Sequence, residues 1–184
     1  MYKKILVPMI LFYIAGETNT IRRCLPTRRR HRYSMKHFVN TSERIWTVRA
    51  SMQTAIRCQF EQMRIIDPRA IFFNRTFLIR TQRVSIQLQG EFDPRHVDRM
   101  DVSALGMQAV SRETLVYEAP NSSCAVLELR LLSRDAACYY ELRVKNSSIE
   151  TVIHRECWRH FHNLTAQEIY VYTSECQHLV RPRM

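Results

Sequence analysis

The chain has 184 residues, of which 46% are hydrophobic, so it is long enough for one domain with a substantial apolar core. Its formal net charge is +11 at pH 7, which favours weak attraction to anionic partners without identifying one. Glycine occurs only three times, and GxGxxG, GxxxxGK[ST] and GxSxG patterns are absent, which excludes the common phosphate-binding loops and the nucleophile elbow.

The first 16 residues have the pattern of a secretory signal peptide. Two lysines near the start precede an apolar segment, 5–16, of about a dozen residues, which is too short to span a bilayer comfortably. We therefore predict a signal peptide at 1–16, no transmembrane helix in the mature chain, and a secreted, extracellular protein. The alternative is a buried N-terminal helix.

Cysteines and sequons support secretion independently. Six cysteines is an even number in a small chain, which is typical of disulfide-bonded extracellular domains. Five N-x-[ST] sequons are candidate glycosylation sites: Asn40, Asn74, Asn121, Asn146 and Asn163.

Residues 17–37 show no apolar period and contain a dense basic run at 28–32. We interpret this segment as a disordered basic arm. It fits a solvated tail, a dibasic processing site, a polyanion-binding patch or a nuclear signal, although a nuclear role conflicts with the leader, the sequons and the cysteines.

The domain proper is predicted at 38–184. Along most of it, residues of one strand face alternate with residues of the other in a two-residue period. In the segment 43–51 one face carries Ile45, Thr47 and Arg49. Comparable segments follow at 55–63, 70–80 and 83–92, then a less regular stretch at 97–112, a short strand at 114–118 and two strands within 124–145. Eight short strands at roughly ten-residue spacing predict a sandwich or an up-and-down barrel.

The period changes after residue 146. Residues 147–150 fit a capping box, and apolar residues then recur at three- and four-residue steps, which predicts an amphipathic helix of about 14 residues. An extended tail ending on Cys176 follows. Eight strands and an external C-terminal helix form the lipocalin arrangement: an eight-stranded antiparallel up-and-down barrel that holds one small ligand inside.

Two motifs carry a resemblance to a known family. The stretch "NTSERIWTVRAS", followed by a cysteine at Cys58, resembles the start of the tick salivary lipocalins of the histamine-binding type. The frame Cys124…Glu141-Leu142…Cys157…Cys176 resembles the amine-binding signature of the same family. The resemblance covers roughly residues 38–177.

The resemblance implies two disulfides, Cys58–Cys176 and Cys124–Cys157. Cys24 and Cys138 remain, and either they pair with each other or one or both are free. The sequence by itself allows 15 pairings of six cysteines.

The resemblance also implies a ligand site. A biogenic amine is a cation with a flat ring, so it needs a buried carboxylate and aromatic walls. The family pattern places Glu43 and Trp46 at one such site and Glu141 at a second, where Tyr139 and Arg143 are its neighbours on the strand.

This sequence departs from the signature at the second site. The family has an aspartate where this chain has Ala125, and an aromatic residue where it has Arg143. An arginine there would neutralise Glu141 and compete with an amine. At the first site Trp46 also fits a structural plug of the barrel base and Glu43 an ordinary solvated carboxylate, with Gln82 where a second acid is wanted.

The basic composition suggests another ligand. An arginine inside an apolar barrel suits the carboxylate of an eicosanoid or a fatty acid. The candidates are Arg49, Arg57, Arg80, Arg83 and Arg143.

No catalytic or metal-binding constellation emerges. The histidines at 154, 160 and 162 do not share one helical face, and the sequence shows no motif of an activated nucleophile. We predict a monomeric protein without enzymatic activity or cofactor and without a nucleic-acid or membrane partner.

The predicted function is stoichiometric capture of a small host inflammatory mediator: a biogenic amine such as histamine or serotonin, or an eicosanoid or fatty acid. One alternative is a closed barrel whose surface binds a host protein such as a complement component. Another is a cationic glycan-binding module. A filled barrel interior favours the protein-binding alternative.

Overall fold

A computed structural model describes Cys24 and residues 33–133, 137–151 and 153–179. The predicted signal peptide at 1–16 and the basic run at 28–32 lie outside these residues. Within the described ranges, no helix is long and apolar enough to cross a membrane.

Eight antiparallel strands close into a barrel. Their bounds are β1 Ile45–Ala50, β2 Ile56–Ile66, β3 Ala70–Ile79, β4 Gln82–Phe92, β5 Arg99–Ala104, β6 Ala109–Glu118, β7 Cys124–Leu131 and β8 Cys138–Lys145. Neighbours in sequence pair from β2 to β8, and β1 pairs with both β2 and β8, which closes the sheet and leaves no long free edge.

Short elements cover the barrel. The helices are α1 Met35–Val39, α2 Asn146–Ile149, α3 Arg155–Leu164 and α4 Cys176–Leu179, and a two-residue strand, β9 Ile169–Tyr170, adds to β1. Helix α3 packs outside, against β6, β7 and β8. This arrangement confirms the predicted fold class.

The predicted C-terminal helix is wrong in its length. The chain forms one turn, α2, and then leaves the helical path before α3 begins at Arg155. His154 separates the two, because its side chain accepts a hydrogen bond from the backbone N–H of Glu156 and so caps α3. The tail also differs from the prediction, since Cys176 begins α4 instead of ending an extended segment.

A β-bulge changes the predicted faces of β1. The pairing of β1 with β8 shifts register between Thr47 and Arg49, so one extra residue lies on β1. Ala50 therefore joins Thr47 on the inner face, while the guanidinium of Arg49 lies outside over the ring of Tyr170, 3.2 Å from its centroid. The sequence pattern, which lacks any bulge signal, places Arg49 on the face of Thr47.

Helix α1 closes one end of the barrel. Met35 and Phe38 are fully buried, and the backbone N–H of Met35 donates to the carbonyl of Val97 in the β4–β5 connection. Tyr33 packs edge-on against Tyr117. The packed part of the chain thus includes residues upstream of 38, within the segment predicted as an arm.

Three disulfides attach peripheral segments to the barrel. Cys58 on β2 bonds Cys176 at the start of α4, and Cys124 on β7 bonds Cys157 on α3; these are the two pairs that the resemblance implies. Cys24 bonds Cys138 at the start of β8, which joins the segment before the barrel to its last strand.

We expect the double variant Cys58→Ala/Cys176→Ala to lose about 2–5 kcal/mol of unfolding free energy, because the bond closes a loop of 118 residues. Urea unfolding of the oxidised protein, followed by circular dichroism, measures the loss. A loss below about 1 kcal/mol would show that the C-terminal segment packs on β2 without the covalent link.

Candidate functional site

Five charged side chains lie inside the barrel. They are Glu61 on β2, Arg75 on β3, Glu113 on β6, and Glu141 and Arg143 on β8, and all are buried. Charged groups are almost never buried unless they are paired, because the cost of removing them from water is large.

Arg143 lies at the centre of this cluster, which we call the ionic core. Its Nη1 donates to Glu61 Oε2 at 3.0 Å and to Glu113 Oε2 at 2.8 Å. Its Nε donates to Glu141 Oε2 at 2.7 Å. One guanidinium therefore binds three carboxylates that come from three different strands.

Arg75 completes the ionic core from the other side. Its Nε donates to Glu61 Oε1 at 2.9 Å, its Nη2 also contacts Glu61, and Nη2 donates to Glu113 Oε1 at 2.6 Å. Two arginines thus share Glu61 and Glu113, and hydrogen bonds between ionised partners are about twice as strong as those between neutral groups.

Strand register builds the ionic core. Glu61 lies directly opposite Arg75 in the β2–β3 pair, and Arg143 lies opposite Thr47 in the β1–β8 pair. Alternate residues of a strand share one face, so Glu141 and Arg143 both enter the interior.

Burial and charge act in opposite directions on the two shared acids. Burial alone would raise the pKa of Glu113, but the guanidiniums of Arg143 and Arg75 outweigh it and lower that pKa to about 2. For Glu61 burial dominates, and its pKa is raised although the same two arginines oppose the rise.

The ionic core has one more carboxyl group than it has guanidiniums. Among the described residues of the interior, three carboxylates face two guanidiniums, which leaves one formal negative charge when all are ionised. Glu141 has the most weakly bonded oxygen of the three acids: its Oε1 receives a single 3.3 Å hydrogen bond, from Gln59, whereas its Oε2 contacts Arg143 at 2.7 Å and accepts from Thr47 at 3.3 Å.

Two small cavities flank the ionic core. The cavity beside Glu141 measures about 20 Å³, room for about one water molecule, and is lined by Thr47, Ala50, Met52, Thr54, Ile56, Gln59, Tyr139, Glu141 and Val171. The second lies at the α1 end, measures about 10 Å³, and is lined by Val39, Ile45, Glu61, Met63, Ile71, Phe73 and Met100. The interior is therefore nearly filled by its own side chains.

Two of the sequence-predicted site residues lie away from both cavities. Glu43 accepts a 2.7 Å hydrogen bond from the backbone N–H of Ser147, and its hydrogen bonds with Ser147 lower its pKa. Trp46 is fully buried on the outer side of β1, where its Nε1 donates to Asn146 Oδ1 at 2.8 Å. Both hold the segment after β8 against the barrel.

The other three predicted residues come together on β8. Tyr139 and Glu141 line the same cavity, and Arg143 binds Glu141. Burial, with a smaller contribution from Glu141, raises the pKa of the Tyr139 hydroxyl. Ala125, the position where the family has an aspartate, is fully buried opposite Arg143 and brings no charge to the site.

The remaining candidate arginines face away from the interior. Arg57, Arg80 and Arg83 are exposed, as is Gln82 at the β3–β4 turn. Sequence reasoning missed Arg75, Glu61 and Glu113. The signal for Arg75 was its place between Phe73 and Phe77 on one face of a strand, where a charged residue requires a buried partner.

The sequons remain predictions. Asn40, Asn121 and Asn163 are exposed, and Asn74 is half-buried on β3. The side chain of Asn146 accepts hydrogen bonds from Trp46 and Gln177.

No family model and no curated protein matches the sequence. Solved structures do match. Japanin from Rhipicephalus appendiculatus, bound to cholesterol, has a TM-score of 0.56 and 11% identity over 74% of this chain and 96% of that one. Insecticyanin from the tobacco hornworm Manduca sexta has a TM-score of 0.58 and 11% identity over 83% of this chain and 87% of that one. Lobster apocrustacyanin A1 has a TM-score of 0.57 and 10% identity over 78% of this chain and 83% of that one. At these identities the likeness establishes the fold, which is the lipocalin fold.

We expect Arg143→Met to lower the unfolding free energy by about 3–5 kcal/mol, because it leaves three buried carboxylates with a single guanidinium. Adding Glu113→Gln should restore part of the loss by removing one of the unpaired charges. Urea unfolding of both variants and of the double-mutant cycle measures the coupling.

The matched control for this prediction is Arg57→Met, which changes an exposed arginine of β2 and should stay within about 0.5 kcal/mol of wild type. Equal losses in Arg57→Met and Arg143→Met would contradict the ionic core.

Stability should also depend on the ionisation of Glu113. Its pKa is about 2 in the folded protein against an ordinary 4.5, so its stabilising contribution is complete above pH 4.5 and is lost as the pH falls towards 2. We expect the unfolding free energy of wild type to fall over this window, and Glu113→Gln to show a shallower decline. Parallel slopes for the two proteins would mean that Glu113 titrates normally.

Proposed function

We propose that this lipocalin-fold barrel captures a small cationic amine, with Glu141 as the counter-ion. The observation that carries the proposal is the excess carboxylate of the ionic core, because a buried negative charge without a full partner is stabilised by a cation. Glu141 is the acid that both lines a cavity and keeps an oxygen with one long hydrogen bond.

The cavity beside Glu141 has suitable chemistry for such a ligand. The ammonium would bind Glu141 Oε1, while Gln59 and Thr47 supply further polar atoms nearby. Tyr139 and the apolar side chains of Met52 and Ile56 would surround a flat ring.

Arg143 does not cancel this site. The sequence suggests that it would neutralise Glu141, but its Nη1 is committed to Glu61 and Glu113. Arg143 also contacts Glu141, through both Nε and Nη2 at 2.7 Å, but both contacts are with Oε2 and leave Oε1 to Gln59, so the charge of Arg143 is shared among three acids.

Ligand entry must enlarge the cavity, since about 20 Å³ accommodates one water molecule and not a ring. Met52 is half-buried in the short β1–β2 connection, and an unbranched thioether side chain adapts at low cost. Displacement of Met52 towards solvent opens the cavity at this end of the barrel.

An anionic lipid fits the interior less well. Both buried guanidiniums already bind carboxylates, and a ligand carboxylate would add a fourth acid to an interior with two guanidiniums. Similar folds do hold lipids, since japanin was solved bound to cholesterol, but cholesterol is uncharged and would leave Glu141 uncompensated.

The setting agrees with extracellular capture. Three disulfides require an oxidising compartment to form and persist. The cysteine frame resembles that of tick salivary amine-binding proteins, so the ligand class includes histamine and serotonin, and the mechanism is stoichiometric sequestration of a host mediator.

The nearly filled interior favours a second candidate function. A barrel without room for a ligand leaves its outer surface for recognition, so the protein would bind a host protein such as a complement component. This candidate requires that no small ligand binds.

Titration calorimetry of the oxidised protein with histamine, serotonin and a leukotriene tests the proposal. We expect binding of an amine and at least a thirtyfold loss of affinity, roughly, in Glu141→Gln, because truncating a buried ion pair costs about 2 kcal/mol or more. Glu43→Gln is the matched control, since Glu43 lies outside the cavity and should leave affinity unchanged.

Loss of binding in Glu43→Gln alone would place the site where the resemblance implies it. Binding of the leukotriene alone would contradict the choice of a cation. No heat from any of the three ligands would favour the protein-binding candidate.

A further inference from the structure

Apolar side chains are exposed at two hairpin turns of the barrel. Leu105 and Met107 flank Gly106 in the β5–β6 turn and are 48% and 39% exposed, and Leu132 at the end of β7 is 43% exposed. Turn tips normally carry polar residues, so apolar side chains at these positions need a reason.

The β5–β6 turn stands clear of the rest of the barrel. A hydrogen bond from the Met107 N–H to the Ala104 carbonyl closes it, and Gly106 adopts a φ of +72° at its tip. A Cβ added to Gly106 would meet no atom within 4 Å. Leu132 lies beside the same hairpin, because its N–H donates to the carbonyl of Val110.

These turns share one end of the barrel with three exposed arginines. Because the strands are antiparallel and consecutive, the β1–β2, β3–β4, β5–β6 and β7–β8 connections all lie at the same end. Arg80 lies in the β3–β4 turn, and Arg57 and Arg83 are on the strands next to these connections. The described residues of the four connections include no aspartate or glutamate.

The opposite end has a different charge pattern. Its β2–β3 and β4–β5 connections carry Asp67, Asp93 and Asp98 beside Arg69 and Arg95. The described residues of the connections at the end with the apolar turns thus carry arginine without an acid, and we call the following set the basic-apolar rim: Arg57, Arg80, Arg83, Leu105, Met107 and Leu132.

We propose that the basic-apolar rim docks on an anionic lipid surface. Peripheral membrane contact needs apolar side chains that enter the headgroup region and cations that are attracted to acidic lipids, and the rim presents both at one end of a rigid barrel. The predicted absence of a membrane partner rested on the lack of a spanning segment, which a peripheral contact does not require.

The apolar members select lipid over other polyanions. A sulfated glycan or an acidic peptide would use the arginines, but it would gain little from Leu105 and Met107 at an isolated tip. Docking would also turn the cavity beside Glu141 towards the membrane, because Met52 and Thr54 of the β1–β2 connection line that cavity. The inference does not depend on which ligand the cavity binds.

Sedimentation of the full oxidised chain with vesicles tests the proposal. We expect binding to phosphatidylcholine vesicles that contain phosphatidylserine, weaker binding to phosphatidylcholine alone, and weakening by added salt. Leu105→Ser/Met107→Ser should reduce binding about tenfold. Val97→Ser is the matched control, because Val97 is 51% exposed at the opposite end and should have no effect.

The charge component has its own pair of variants. Arg80→Gln/Arg83→Gln should reduce binding to the acidic vesicles about 25-fold at low salt, at roughly fivefold per arginine. Arg69→Gln/Arg95→Gln, which removes two exposed arginines from the opposite end, should leave binding near wild type.

Two results would overturn the proposal. One is retention on heparin beads without binding to acidic vesicles, which would assign the arginines to a glycan. The other is vesicle binding that Leu105→Ser/Met107→Ser leaves unchanged, which would reduce the contact to nonspecific charge attraction. Circular dichroism of each variant confirms that a loss of binding does not reflect unfolding.

Discussion

The guanidinium of Arg143 binds three carboxylates inside the barrel, and the interior is organised around that contact. Arg75 adds the second cation and brings β3 into the same cluster. Buried ion pairs of this kind are expensive to desolvate, so they add little net stability, although removal of one partner alone is strongly destabilising. They also occupy the volume in which other barrels hold a ligand, which is why the two cavities beside the ionic core are small.

A polar interior shifts part of the apolar core to the outside of the barrel. Trp46 and Phe60 lie on the outer face of β1 and β2, in the same cluster as Phe161 of α3. Two disulfides hold the covering segments on this face. The aromatic and acidic residues expected at an amine site, Trp46 and Glu43, therefore attach the C-terminal segment, and the proposed ligand-binding role falls to Glu141.

The sequence predicts the strands well and the ionic core poorly. The alternation of apolar and polar residues locates β3 and β4 to within one residue, because a regular two-residue period indicates a β-strand and not a helix. The β1 bulge escapes prediction, since a one-residue insertion in the pairing has no signature in the residues themselves. Arg75 and Glu113 escape because which face of a strand turns inward depends on what covers the other face, and that depends on distant disulfides and helices. Of the candidate site, only the residues on β8, which are Tyr139, Glu141 and Arg143, could be predicted from the sequence.

The most direct test of the ionic core is hydrogen exchange at the Nε–H groups of Arg75 and Arg143, followed by nuclear magnetic resonance of the oxidised protein. Both protons are buried and bound to carboxylates, whereas the guanidinium of Arg57 is exposed. We expect exchange roughly a hundredfold slower or more for Arg75 and Arg143 than for Arg57, since buried hydrogen-bonded protons exchange only on opening. Equal exchange at the three arginines would show that the interior is open to water and that the ionic core does not fill it.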